Sequence, residues 1–167
     1  MTKVSVCMIT YNHANYIEKA IESILSQIGN FEIELVIAND NSPDNTDEII
    51  KACIQNNNTK HKIKYIHNTK NIGMMPNFEQ AINACDGDFL AICEGDDYWT
   101  SPNKIEEQVS FLSENNDNAL LSAKALAQSW PLSMSWRSRS VKPCLMAVLR
   151  KAIKASCCSR ASSPCNT

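Results

Sequence analysis

The feature that most restricts the fold of this chain is a fourfold alternation. Short apolar runs recur, each followed by a polar cluster and then by apolar residues at helical spacing. Val4 to Ile9 ends in Thr10-Tyr11-Asn12-His13, after which Ile17, Ala20, Ile21, Ile24, Leu25 and Ile28 form a stripe that Gly29 stops. Ile33 to Ala38 ends in Asn39-Asp40-Asn41-Ser42, and a helix is predicted from about Asp44, with Ile49, Ile50, Cys53 and Ile54 inward. Lys62 to His67 closes in Asn68 to Gly73. Pro76 then suits the first turn of a helix whose stripe is Phe78, Ala81, Ile82 and Cys85. Asp88 to Cys93 is the fourth run, and Ile105, Val109 and Leu112 mark a helix after Pro102. Near-continuous apolar strands are buried on both faces. Strands alternating with helices imply right-handed crossovers and a parallel sheet of α/β class. In such sheets ligands bind beyond the carboxyl ends of the strands, which is where the polar clusters fall here.

The fourth run leads into Cys93-Glu94-Gly95-Asp96-Asp97-Tyr98-Trp99. Three crowded carboxylates around one glycine are costly to bury unpaired. Asp40 is expected at the same edge, and residues 1–117 contain no Arg to pair any of them. Two readings fit: a solvated acidic turn, or a hard divalent cation, Mg or Mn, held by carboxylate oxygens with positions left for phosphate. No GxGxxG or GxxxxGK[ST] loop occurs, so the dinucleotide and P-loop readings lose their main support.

In order and spacing, these residues resemble the family 2 glycosyltransferases, inverting nucleotide-sugar enzymes with the GT-A (Rossmann-like) fold. Val6-Cys-Met-Ile-Thr10-Tyr11-Asn12 is similar to that family's first strand, and Ser23-Ile-Leu-Ser-Gln27 to the end of its first helix. Asn39-Asp40-Asn41-Ser42-Pro-Asp44-Asn-Thr46 resembles its Asp-Asp-Gly-Ser-x-Asp-x-Thr loop. Glu94-Gly-Asp96-Asp97-Tyr-Trp99-Thr-Ser-Pro102, with Lys104, resembles its Asp-x-Asp segment. The likeness covers residues 3 to about 116. It implies transfer of a sugar from a nucleotide diphosphate to an acceptor hydroxyl, as in polysaccharide biosynthesis, with UDP-sugar the favoured donor and a sugar or glycolipid the acceptor. It also implies roles for single residues. Asp40 would accept a hydrogen bond from the base, the N3–H if uracil, and Thr10, Tyr11 and Asn12 would line the base and ribose. Asn71 and Gly73 would form a loop near the nucleotide. Asp96 would hold the metal, supported by Asp97 and Glu94, so that the diphosphate is stabilised as leaving group. The plainer readings are that Tyr11 and Trp99 cap the sheet end and that Asn71 supports a turn. Likewise Ser42 and Asp44 N-cap the second helix, and His13 is a loop residue. Four positions depart from the family pattern: Ile9 for Pro, Asn39 for the first Asp of the loop, Asn41 for its Gly, and Glu94 for the first Asp of the metal motif.

The formal charge of −2 conceals a division near residue 117. Residues 1–117 hold all 18 Asp and Glu against 8 Lys, a balance of −10, whereas residues 118–167 hold 4 Lys, 4 Arg and no acid, a balance of +8. The expectation is a donor-binding part at 1–117 in a truncated GT-A domain, followed by a basic Ser/Ala/Arg/Cys-rich tail foreign to the fold, solvated or read from a shifted frame. Leu145 to Ile153 is a candidate short basic helix. The family's catalytic base is an Asp or Glu of the acceptor half, so none can be assigned here. A non-catalytic module for a nucleotide diphosphate and metal is the alternative. A basic membrane or nucleic-acid adaptor rests only on the tail, and no nucleic-acid partner is expected. The eight cysteines lack CxxC spacing, and Cys7, Cys53, Cys85 and Cys93 sit in apolar positions as small hydrophobes. With no leader or membrane-length apolar run in view, a cytoplasmic place follows, with the inner membrane face open for peripheral docking.

Overall fold

In the computed structural model, residues 1–114 are described throughout, together with the backbone of residues 120–122 and 147–150. The alternation is realised as β1 (Thr2–Thr10), α1 (Ile17–Leu25), β2 (Phe31–Asn39), α2 (Thr46–Asn56), β3 (Lys62–His67), α3 (Met74–Ala84), β4 (Phe89–Ile92) and α4 (Lys104–Glu114). Two short strands follow, β5 (Leu120–Ser122) and β6 (Ala147–Arg150). The sheet order is β3-β2-β1-β4-β6-β5. The first four strands run parallel, while β6 pairs antiparallel with both β4 and β5.

Side chains of period two divide the core between two faces. Val4, Val6 and Met8 of β1, Ile33, Leu35 and Ile37 of β2, and Phe89 and Ala91 of β4 pack with the inner stripes of α1, α2 and α4. The intervening Cys7, Val36 and Ala38 meet Ala81 of α3 and its C-cap residue Cys85 on the opposite face. Both central strands are therefore covered on both sides, which is why they read as continuous apolar runs. Pro76 lies in the first turn of α3, where a missing N–H costs no intrahelical bond.

Residues 147–150 correct one expectation. The segment proposed as a basic helix is a strand there, with Phe89 opposite Arg150 and Leu90 opposite Leu149. The physical reason is the free edge of β4: its backbone groups beyond β1 need partners, and a strand supplies them. The remaining expectations for residues 118–167, a foreign or frame-shifted tail, fall outside the described residues apart from these two strands.

Candidate nucleotide-binding edge

β1 is the centre of the candidate site because a loop locks onto each side of its carboxyl end. The Asp40 N–H donates to the Thr10 carbonyl at 3.0 Å, and the Gly95 N–H donates to the Ile9 carbonyl at 3.0 Å. The β2 loop and the acidic loop after β4 are thus drawn to one strand end. Gly95 permits this closeness. A Cβ built on it would stand 2.7 Å from Thr10 Oγ1, 2.8 Å from Thr10 Cβ and 2.9 Å from His13 Nδ1. Thr10 Oγ1 and His13 Nδ1 are themselves buried without a hydrogen-bond partner among the described residues.

Asp40 is 3% exposed, and its carboxylate holds the third loop of the edge. Oδ1 accepts from Asn68 Nδ2 at 3.0 Å and from the Ile72 N–H at 2.8 Å, and Oδ2 accepts from the Gly73 N–H at 2.8 Å. Gly73 has φ +91°, a conformation that glycine adopts without strain, and it turns the chain into α3. Asn71 Oδ1 accepts the same Gly73 N–H at 3.1 Å, so it does support the turn, and its side chain is exposed. Asn68 opens the polar run after β3, and Asn77 lies inside α3 with no motif to mark it. Asn68 also donates to Asn77 Oδ1 at 3.0 Å, and Asn77 donates to the Ala38 carbonyl at 2.9 Å, a buried amide relay behind Asp40.

The loop after β2 is built from its own departures from the family pattern. Asn41 stands at φ +57°, the left-handed region that Gly or Asn tolerates, so Asn in place of Gly keeps the turn. Asn39 is buried; its Oδ1 accepts from the Ser42 N–H at 3.0 Å and the Ser42 hydroxyl at 2.6 Å, and its Nδ2 donates to Tyr65 Oη at 3.0 Å. Tyr65 donates onward to Asp47 at 2.7 Å; burial and that carboxylate push its hydroxyl pKa up. Ser42 and Asp44 do not N-cap α2, whose N-cap residue is Asn45. They reach across to the β1 loop instead: Ser42 Oγ accepts the Asn12 N–H at 3.0 Å and Asp44 Oδ2 the Ala14 N–H at 2.9 Å. Asp44 lies one residue before the cap, close enough for its Oδ1 also to accept the Thr46 N–H. Burial raises its pKa, but the bonds from Thr46 and Ala14 outweigh this and hold it below the usual carboxylate value. Asn12 is exposed at φ +60°, and Tyr11 is exposed rather than capping the sheet. Trp99, by contrast, is buried against the α1 face of the core.

α1 grips the segment that follows the acidic loop. Ser23 Oγ accepts the Trp99 N–H at 3.1 Å. Gln27, two residues past the end of α1, donates to the Ser101 carbonyl at 2.7 Å and accepts the Ile105 N–H of α4 at 3.1 Å. Within the loop so held, Glu94 and Asp96 are exposed and Asp97 is half-buried. They form no ion pair among the described residues. Nor do any three His, Cys, Asp or Glu side chains among those residues gather closely enough to hold a metal. Asp96, Asp97 and Glu94 therefore share a loop without converging on one point. Their hard oxygens still fit Mg or Mn, which is commonly held by one or two carboxylates while phosphates and water complete the shell.

The model of Glycosyl transferase family 2 matches residues 5–162, reaching past the limit near residue 116 that the motifs marked. An uncharacterized protein of Mycobacterium tuberculosis is 35% identical over 117 residues, 70% of this chain and 33% of that protein. The chain spans about a third of the length of such curated relatives. S. aureus TarS 1-349, solved in complex with UDP, superposes with a TM-score of 0.58 at 25% identity, covering 68% of this chain and 33% of that one. The mannosyltransferase PcManGT from Pyrobaculum calidifontis, in complex with GDP-Man and Mn2+, gives a TM-score of 0.65 at 18% identity over 89% of this chain and 44% of that one, a likeness of fold.

Proposed function

This chain belongs to glycosyl transferase family 2 and has its GT-A fold, and from that premise we propose that its carboxyl edge binds the nucleotide diphosphate of a sugar donor, with UDP-sugar favoured. The observation that carries the proposal is the pair of backbone bonds by which Asp40 and Gly95 flank the end of β1. These bonds set the loop after β2 and the acidic loop after β4 on either side of one strand end. Asp40 accepts the base N–H, Thr10, Tyr11 and Asn12 line base and ribose, and the Asn71–Gly73 turn closes over the nucleotide. Asp96, with Asp97 and Glu94 beside it, would hold Mg or Mn against the diphosphate. A metal there supplies Lewis-acid stabilisation of the leaving diphosphate. Transfer to a sugar or glycolipid hydroxyl, inverting at the anomeric carbon, is the activity of the whole protein, and this chain contributes the donor half. The same reading includes a cytoplasmic place of work with peripheral association at the inner membrane face. No helix among the described residues is long and apolar enough to cross a membrane.

A second reading, a nucleotide-diphosphate and metal module without turnover, is favoured by one fact: no Asp or Glu follows Asp117, so the chain offers no acceptor-half base. Calorimetric titration with UDP, with and without Mn2+, tests what both readings share. Binding should weaken without metal and in Asp96→Ala, and Asp40→Ala should weaken it under either condition. Equal affinity with and without metal would remove the metal from the account. Unaltered binding in Asp40→Ala would remove the base contact.

A further inference from the structure

We infer that Asn68, oriented by Asn77, restricts Asp40 to a single hydrogen bond from the ligand and so selects a uracil-type base over guanine. The inference rests on Asp40 reading the base, as proposed above, and goes beyond it by assigning the choice of base to two amides that have no role in that reading.

The acceptor capacity of Asp40 sets the limit. An ionised carboxylate offers about four lone-pair sites. Three are taken by the two donors on Oδ1 and the one on Oδ2, leaving one open site, on Oδ2. The occupancy cannot relax by an amide flip. Asn77 Nδ2 is bound to the Ala38 carbonyl, an acceptor only, so Asn77 must present its oxygen to Asn68. Asn68 must then present its NH2 group, one proton to Asn77 Oδ1 and the other to Asp40 Oδ1. Turning Asn68 over would set its oxygen against two acceptors at once. The backbone of β2 thereby fixes the donor sense of both amides. Burial makes the arrangement exclusive, since Asn77, Asp40 and Asn68 are 2%, 3% and 9% exposed.

Bases differ in what they offer such an acceptor. Uracil presents one N–H, at N3, between two carbonyls, and one open site satisfies it. Guanine presents N1–H beside the N2 amino group, a two-donor edge that pairs with both oxygens of a free carboxylate. Here Oδ1 is full, so the guanine amino group is left without a partner as it is buried. Cytosine and adenine bring a ring nitrogen acceptor toward the carboxylate and are repelled. An unpaired buried donor beside a charged partner weakens binding on the order of tenfold to a hundredfold.

The experiment is competition among UDP, GDP and N3-methyl-UDP for the full 167-residue chain in Mn2+ buffer. Diphosphate and metal are common to all three ligands, so the ratios isolate the base. UDP should bind about ten- to a hundredfold more tightly than GDP, and N3-methyl-UDP, which has lost the N–H, should bind as weakly as GDP or worse. In Asn68→Ala, which frees one site on Oδ1, the UDP-to-GDP ratio should fall by about tenfold. Weak N3-methyl-UDP but equal UDP and GDP would overturn the relay while leaving Asp40 as base reader. N3-methyl-UDP binding as well as UDP would overturn the base contact and the relay with it, as would no binding of UDP. A ratio unchanged in a folded Asn68→Ala protein would overturn the relay, and if that variant does not fold the wild-type ratios decide.

Discussion

Gly95→Ala is the smallest change that tests how the acidic loop is seated. The added methyl has no room: three atoms of Thr10 and His13 lie under 3.0 Å from its position. Thr10 cannot step aside, because it ends a strand bonded on both sides and is 2% exposed. The loop must therefore lift from β1. Overpacking of this kind costs about 1–3 kcal/mol, and loss of the Gly95 N–H bond to the Ile9 carbonyl adds about 0.5–1.5 kcal/mol. In a chain of this length the sum lowers Tm by about 5–15 °C. The lift also carries Asp96 and Asp97 away from the edge, so the metal-dependent part of UDP affinity should fall more than the metal-independent part. Thermal melts followed by titration of the variant at low temperature, with Mn2+ and with chelator, read both effects. A variant that melts with the wild type and keeps its metal response would refute the close seating of Gly95 on Thr10.

Stability should decline as the solution is acidified, in two stages. His61 is buried, and its Nδ1 accepts the Ile33 N–H. Burial holds its pKa below the usual value, so its contribution is complete above about pH 6.5 and is lost as pH falls through the lower folded value. Asp44 and Asp47 are also depressed and add a second loss below about pH 4. Melts from pH 8 to pH 3 should show both steps, and His61→Gln should remove the upper one. Gln27→Ala should cost about 1–3 kcal/mol, because it strips partners from the Ser101 carbonyl and the Ile105 N–H; urea denaturation should show a lower midpoint at unchanged slope. The 167-residue chain should transfer sugar poorly, since general-base assistance is worth about a hundredfold to ten-thousandfold; robust transfer to a sugar acceptor would place the base within residues 1–117.

Apolar period and polar punctuation made the four parallel strands and their order of use legible in the sequence, because both are local signals. Asp40 and the Glu94–Asp97 loop were legible as an edge for the same reason. What escaped was long-range pairing of amides and hydroxyls. Asn68 and Asn77 look like ordinary loop and helix polar residues until the fold brings them to Asp40 and Ala38. Ser42 and Asp44 have the composition of helix caps, yet their partners are the N–H groups of Asn12 and Ala14, some thirty residues earlier. Leu145 to Ile153 has the basic composition of a candidate short helix, but composition does not report the open edge of β4, which takes Ala147–Arg150 as a strand.

The strand order also has a consequence for how the molecule comes into being on the ribosome. β1 meets β2 as soon as Asn39 has emerged, but its other neighbour pairs Val4 with Phe89, so that side waits for β4. At ordinary elongation rates the delay is on the order of seconds. Throughout it, a strand with the largely apolar run Val4 to Ile9 shows one row of unpaired amides and carbonyls to whatever is nearby. A nascent chain in this position is exposed to edge-to-edge pairing with its neighbours on a polysome. Yield should therefore depend more steeply on synthesis rate and on holdase chaperones than the stability of the finished sheet would suggest.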